Sequence, residues 1–206
     1  ADDLAALMDS LNIERAHIMG TSAGGMIALK FAAKYPEKCI GVVSDCAFAK
    51  CDKMRKIMFR TWRHMAQSWG CSHEFADHVI TQAVGAEFLD GPNGASLVEM
   101  VRTIVGLNSV DTVVQACLAM ENMDLREDCK RIINPTLVIT AKKDMLTPMT
   151  TGETGAGAQW VADNVPGCEL IVYENIGHAD LVECPEKTIA STIEFLHRAS
   201  KKVLTS

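Results

Sequence analysis

Gly20-Thr21-Ser22-Ala23-Gly24-Gly25 is the segment that most constrains how this chain can fold. It follows the apolar His17-Ile18-Met19 and precedes Met26-Ile27-Ala28-Leu29-Lys30-Phe31-Ala32-Ala33, which reads as a helix. A strand that enters a helix through so short a turn must hold its apex residue in a strained, left-handed backbone conformation. Ser22 is that residue. Its hydroxyl is then exposed, and the amide of Ala23 points into the same space from the helix N-terminus, where negative charge is favoured. Gly20 and Gly24, two positions either way, are expected to be small so that strand and helix can approach. This is the nucleophile-elbow pattern. A Gly-rich strand-to-helix turn that binds phosphate, or nothing, is the plainer reading of the same residues.

A chain of 206 residues, 48% hydrophobic and 22% charged, can bury the core of one domain with a modest insertion. The net charge of −6, without a block of Lys or Arg, argues against nucleic acid or an anionic membrane as partner. No apolar stretch approaches the length of a membrane span, and Ala1-Asp2-Asp3-Leu4 does not open a signal peptide, so a cytoplasmic location is expected. Cys39, Cys46, Cys51, Cys71, Cys117, Cys129, Cys168 and Cys184 are scattered without a CxxC pair and read as reduced, mostly buried thiols. The run from His73 to His78, with Cys71 before it, matches no zinc signature; no metal is expected.

Along the chain, strands are expected near residues 15–19, 39–44, 136–141 and 168–173, with helices between them. That alternation implies an α/β fold, a mostly parallel sheet with helices on both faces. Residues 47–133 differ in texture: Met54, Ile57, Met58, Trp62, Met65 and Trp69 form a helical stripe, further helices follow, and strand-like runs are absent. The chain therefore divides into core at 1–46, a helical insertion at 47–133, and core again at 134–206. The Met- and Trp-rich stripe suits packing between helices or the wall of an apolar pocket.

A nucleophilic Ser needs a base within hydrogen-bond reach and a third group to orient that base. In a parallel sheet such loops lie at the carboxyl ends of the strands. Ser22, Asp144 and His178 fall at three strand ends, in the order Ser, Asp, His. Asp45, ending the second strand, is the alternative acid, with Asp144 preferred. His17, His64, His73, His78 and His197 read as structural or surface residues.

The stretches Met19-Gly20-Thr21-Ser22-Ala23-Gly24-Gly25, Pro135-Thr136-Leu137-Val138-Ile139 leading to Asp144 and Thr147-Pro148, and Gly177-His178 leading to Glu183-Cys184-Pro185-Glu186 together resemble the α/β-hydrolase family, in its branch with a helical cap. The resemblance implies that Ser22 attacks a carbonyl carbon, that His178 relays the proton, that Asp144 fixes the imidazole, and that the Ala23 amide is one oxyanion donor. It implies a small or medium ester, lactone or related acyl substrate and no cofactor. Hydrolysis of a carbon–carbon bond in a keto acid, or a non-catalytic remnant that binds a ligand, are the alternatives. The family's core also has strands before the helix that opens this chain. A fragment of a longer enzyme is therefore expected, in preference to a short relative that covers its open sheet edge as a homodimer.

Overall fold

Short apolar runs bounded by turn residues form the strands, and longer amphipathic runs cover them. The computed structural model describes residues 1–204, with side chains through residue 201. The chain opens with α1 (Asp2–Ser10), β1 (Ala16–Thr21) and α2 (Ala23–Lys34), and a short turn at Pro36–Lys38 leads into β2 (Cys39–Asp45). Then come α3 (Lys53–Trp69), α4 (His73–Ala83), α5 (Ala86–Leu89), α6 (Gly94–Gly106), α7 (Val110–Asn122) and α8 (Arg126–Cys129). The chain returns through β3 (Thr136–Ala141), α9 (Ala158–Asn164), β4 (Glu169–Tyr173), α10 (Asp180–Glu183) and α11 (Pro185–Leu204).

The four strands form one parallel sheet in the order β1-β2-β3-β4. Its register pairs Thr21 with Asp45, Asp45 with Ile139, and Ile139 with Ile171, so the carboxyl ends of all four strands lie together. Alternation along each strand serves two cores. Val42 and Val138 pack on one face with Leu29, Phe31 and Val161; Val43, Leu137 and Ile139 pack on the other with Tyr173 and Phe195. The inner strands β2 and β3 are buried nearly throughout, whereas β1 is an edge whose Met19 is 40% exposed.

Only helices lie between β2 and β3 among the described residues. Three of them start on side-chain caps: Asp52 accepts from the Arg55 amide, Ser72 from Phe75 and Ser109 from Thr112. The predicted stripe on α3 is split. Met54 and Ile57 are 65% and 55% exposed, and the fully covered positions are Phe59 and Ala66. The face that meets α4 and α7 is thus rotated from the one that the Met residues suggested. Trp62 sits at that contact, edge-on to Phe59 and Phe75 with centroids 5.6 and 6.2 Å away. At the neck of the insertion Lys50 bridges both Asp124 and Ala156, and its ammonium pairs with Asp124 at 2.9 Å. No single described helix is long and apolar enough to cross a membrane.

Candidate active site

Ser22 has φ 56° and ψ −122°, a conformation that a side chain adopts only when its surroundings impose it. The constraint comes from both sides: its amide donates to the Asp45 carbonyl at 2.8 Å, and its carbonyl accepts from Met26 at 3.2 Å. A Cβ on Gly20 would overlap the backbone of Gly24, so Gly20 must be glycine. The expectation for Gly24 is corrected. A Cβ there meets nothing within 4 Å; it is the backbone of Gly24, not its missing side chain, that crowds the strand. Ser22 does not cap α2 with its hydroxyl. The Ala23 amide, in the first turn, has no acceptor within its own helix.

Asp144 lies in the turn after β3 and is 3% exposed. Its Oδ1 accepts from the amides of Leu146 and Thr147, each at 2.8 Å. Its Oδ2 lies 2.9 Å from His178 Nδ1 and accepts from the Thr147 hydroxyl at 2.6 Å. Burial pushes this carboxyl up, but the hydrogen bond and charge of His178, with both Thr147 contacts, prevail and hold it below its ordinary range. A carboxylate can only accept, so Nδ1 carries a hydrogen, and in the neutral form of the imidazole the lone pair lies at Nε2. The Thr147 hydroxyl also lies 2.6 Å from the Cys46 carbonyl and 3.1 Å from His178 Nδ1. Cys46 has φ 43°, a second strained residue. The end of β2 thus ties together the whole site: Asp45 holds Ser22 through its carbonyl, and Cys46 holds Thr147, which braces Asp144 and His178.

The Asp45 side chain turns elsewhere. It accepts from Thr21 at 2.7 Å and faces Asp180 and Cys46, the three ligand atoms lying within 4.8 Å of one another. Asp180 accepts from Leu181 and Thr188. Burial, then the charge of Asp180, pushes Asp45 up to about 7; burial also raises Asp180. Burial drives the Cys46 thiol far above its ordinary range. All eight cysteines are free. His17 bonds Ser200 at 2.8 Å.

The helical insertion reaches the histidine directly. The Ala83 carbonyl, ending α4, accepts from the amides of His178 and Ala179 at 2.8 and 3.2 Å. Glu183 accepts from Gly177, in the histidine loop, at 3.0 Å and from Gly85, in the insertion, at 3.3 Å. The sequence pattern alone assigns Thr147, Asp180 and Glu183 no role. A Thr three residues after the acid is a local signal for Thr147, whereas the other two depend on long-range packing.

Between the elbow and the insertion lies a cavity of about 310 Å³. Ser22 and Ala23 form its floor, and Phe59, Trp62, Phe75 and Met120 stand among its walls.

A family model described as alpha/beta hydrolase fold matches residues 1–185. A protein named carbamate hydrolase RutD from Caulobacter sp. (strain K31) is 29% identical over 198 residues, covering 95% of this chain and 70% of that protein. The enol-lactonase of Burkholderia xenovorans LB400 has a TM-score of 0.83 at 22% identity, over 95% of this chain and 70% of that one. MGS-M2, an alpha/beta hydrolase enzyme from a Medee basin deep-sea metagenome library, has a TM-score of 0.83 at 26% identity over the same shares. Elbow, sheet and matched length lead to one assignment: the chain belongs to the alpha/beta hydrolase fold family and is a hydrolase.

Proposed function

We propose that the chain hydrolyses carboxylic esters or lactones with Ser22 as nucleophile, His178 as general base and acid, Asp144 as the group that orients it, and the Ala23 amide as one oxyanion donor. The observation that carries the reading is the 2.9 Å contact between His178 Nδ1 and a buried, ionised Asp144. It leaves the Nε2 lone pair for a hydroxyl proton, and Ser22 offers that hydroxyl at the end of β1.

In the acylation step Ser22 Oγ bonds to the carbonyl carbon as its proton passes to Nε2. The Ala23 amide stabilises the oxyanion, and the leaving oxygen takes the proton as the ester bond breaks. Water, deprotonated by the same imidazole, then releases the acid. No step draws on a cofactor. A keto acid brings a carboxylate, and no cationic side chain lines the cavity to receive it, which disfavours carbon–carbon bond hydrolysis. Carbamate hydrolysis, named for the Caulobacter relative, would use the same acyl chemistry.

Turnover of p-nitrophenyl butyrate and labelling by a fluorophosphonate test the reading. Ser22→Ala and His178→Ala are expected to lower kcat by roughly 10,000-fold or more and to abolish labelling. Equal turnover by folded wild type and Ser22→Ala would refute it.

A further inference from the structure

We infer that the cavity takes the acyl half of the substrate, and that this half is uncharged and apolar. The inference rests on the functional reading above. General acid catalysis requires the leaving group to sit beside His178 Nε2. Ser22 and Ala23 line the cavity, while His178 does not. A carbonyl attacked by Ser22 therefore sends its alcohol toward the imidazole and its acyl chain into the cavity.

The walls determine the chemistry of that chain. No charged side chain lines them, and the hydrophobic members include Trp62, Phe59, Phe75 and Met120. The polar members other than Ser22 are already engaged. Asn108 Nδ2 donates to the Ile104 carbonyl at 2.8 Å, Thr112 pairs with Ser109 at 2.8 Å, and Thr147 contacts Cys46 and Asp144 at 2.6 Å each. Asn108 keeps its Oδ1 acceptor and a second Nδ2–H, and that one neutral donor does not balance the charge of a buried carboxylate. Trp62 is held in the wall by its indole N–H, which donates to Gln82 at 3.2 Å. A volume of about 310 Å³, at roughly 30 Å³ for each water-sized group, holds about ten such groups and so suits a medium-length acyl chain.

The test compares kcat/KM along two series, p-nitrophenyl esters from acetate to octanoate and alkyl acetates of rising alcohol length. The first is expected to gain about fourfold per methylene until the cavity fills, and the second to stay nearly flat. Mono-p-nitrophenyl adipate, with its terminal carboxylate, should fall roughly 100-fold below p-nitrophenyl heptanoate, since nothing in the cavity pairs a buried charge. Ala116, an exposed residue on the cavity wall, provides a variant that does not disturb the core. Ala116→Phe should lower the hexanoate-to-acetate ratio by about tenfold, the loss of one to two methylenes of burial. In parallel, Trp fluorescence follows binding of ethyl hexanoate and ethyl acetate to Ser22→Ala.

Ser22-dependent turnover with a flat acyl series, a steep alcohol series or acceptance of the adipate would overturn the acyl assignment and leave the hydrolase reading intact. Graded binding of the ethyl esters without turnover by the wild type would overturn the hydrolase reading and support an apolar cavity. Equal binding of both ethyl esters with no turnover would remove both.

Discussion

Asp45→Asn tests the reading of the buried carboxyl pair. Asp45 and Asp180 face each other with both residues fully buried, and protonation of Asp45 relieves the repulsion. The sign follows from the direction of the shift. A carboxyl whose folded pKa is raised stabilises the fold fully below its unfolded value, and that contribution is lost as pH rises through the folded value. For Asp45 the window runs from 3.8 to about 7. At ~1.4 kcal/mol per pH unit that span sets a ceiling of roughly 4 kcal/mol. Asn keeps an oxygen for Thr21 and offers an N–H to Asp180, without a charge to titrate. At pH 5 the variant should therefore match the wild type within ~1 kcal/mol. At pH 8 it should be the more stable of the two by a few kcal/mol. Urea midpoints of both proteins at the two pH values, with equal slopes, give the difference directly. Parallel loss by wild type and variant between pH 5 and 8 would refute the raised titration of Asp45, as would a variant less stable at pH 8.

Three further substitutions probe the elbow and the link between insertion and histidine. Gly20→Ala should lose Ser22-dependent turnover and at least ~2 kcal/mol of stability, because its Cβ overlaps backbone, while Gly24→Ala should fold as well as the wild type and gain up to ~1 kcal/mol from helix propensity; thermal unfolding with a parallel activity assay separates the two. Glu183→Ala should speed hydrogen exchange at the Gly85 and Gly177 amides by about tenfold or more, the loss of a charge-assisted hydrogen bond at each. Unchanged exchange at either amide would show that the carboxylate does not hold it.

What was legible in the sequence was local. A strand that turns into a helix within a few residues leaves few choices at the apex, and so Ser22 stood out. The strands of the sheet announced themselves as short apolar runs because both of their faces are covered, Val42 by one core and Val43 by the other. Asp144 and His178 could be proposed because parallel strands deliver their loops to one end of the sheet. The local pattern misled at Gly24, where symmetry about Ser22 suggested a steric need that the helix geometry does not impose. It misled again on α3, where Met54 and Ile57 repeat at helical spacing yet face away from the packed side.

The part that was not legible connects different elements through their backbone, and it explains how the site is held. The end of β2 contributes no group to the proposed chemistry, yet backbone atoms of Asp45 and Cys46 anchor Ser22 on one side and Thr147 on the other. Cys46 is strained to do so, at φ 43° in a non-glycine residue. A backbone carbonyl can be supplied by any residue type, so no pattern of side chains could mark these positions. The same holds for Ala83, whose carbonyl takes two amides of the histidine loop. Together they fix Ser22, the proposed nucleophile, from the sheet and His178, the proposed base, from both sheet and insertion. A displacement of α4 must therefore move His178 while leaving Ser22 on its elbow, so in the proposed reaction the insertion that walls the cavity also helps to set the distance across which the proton would pass.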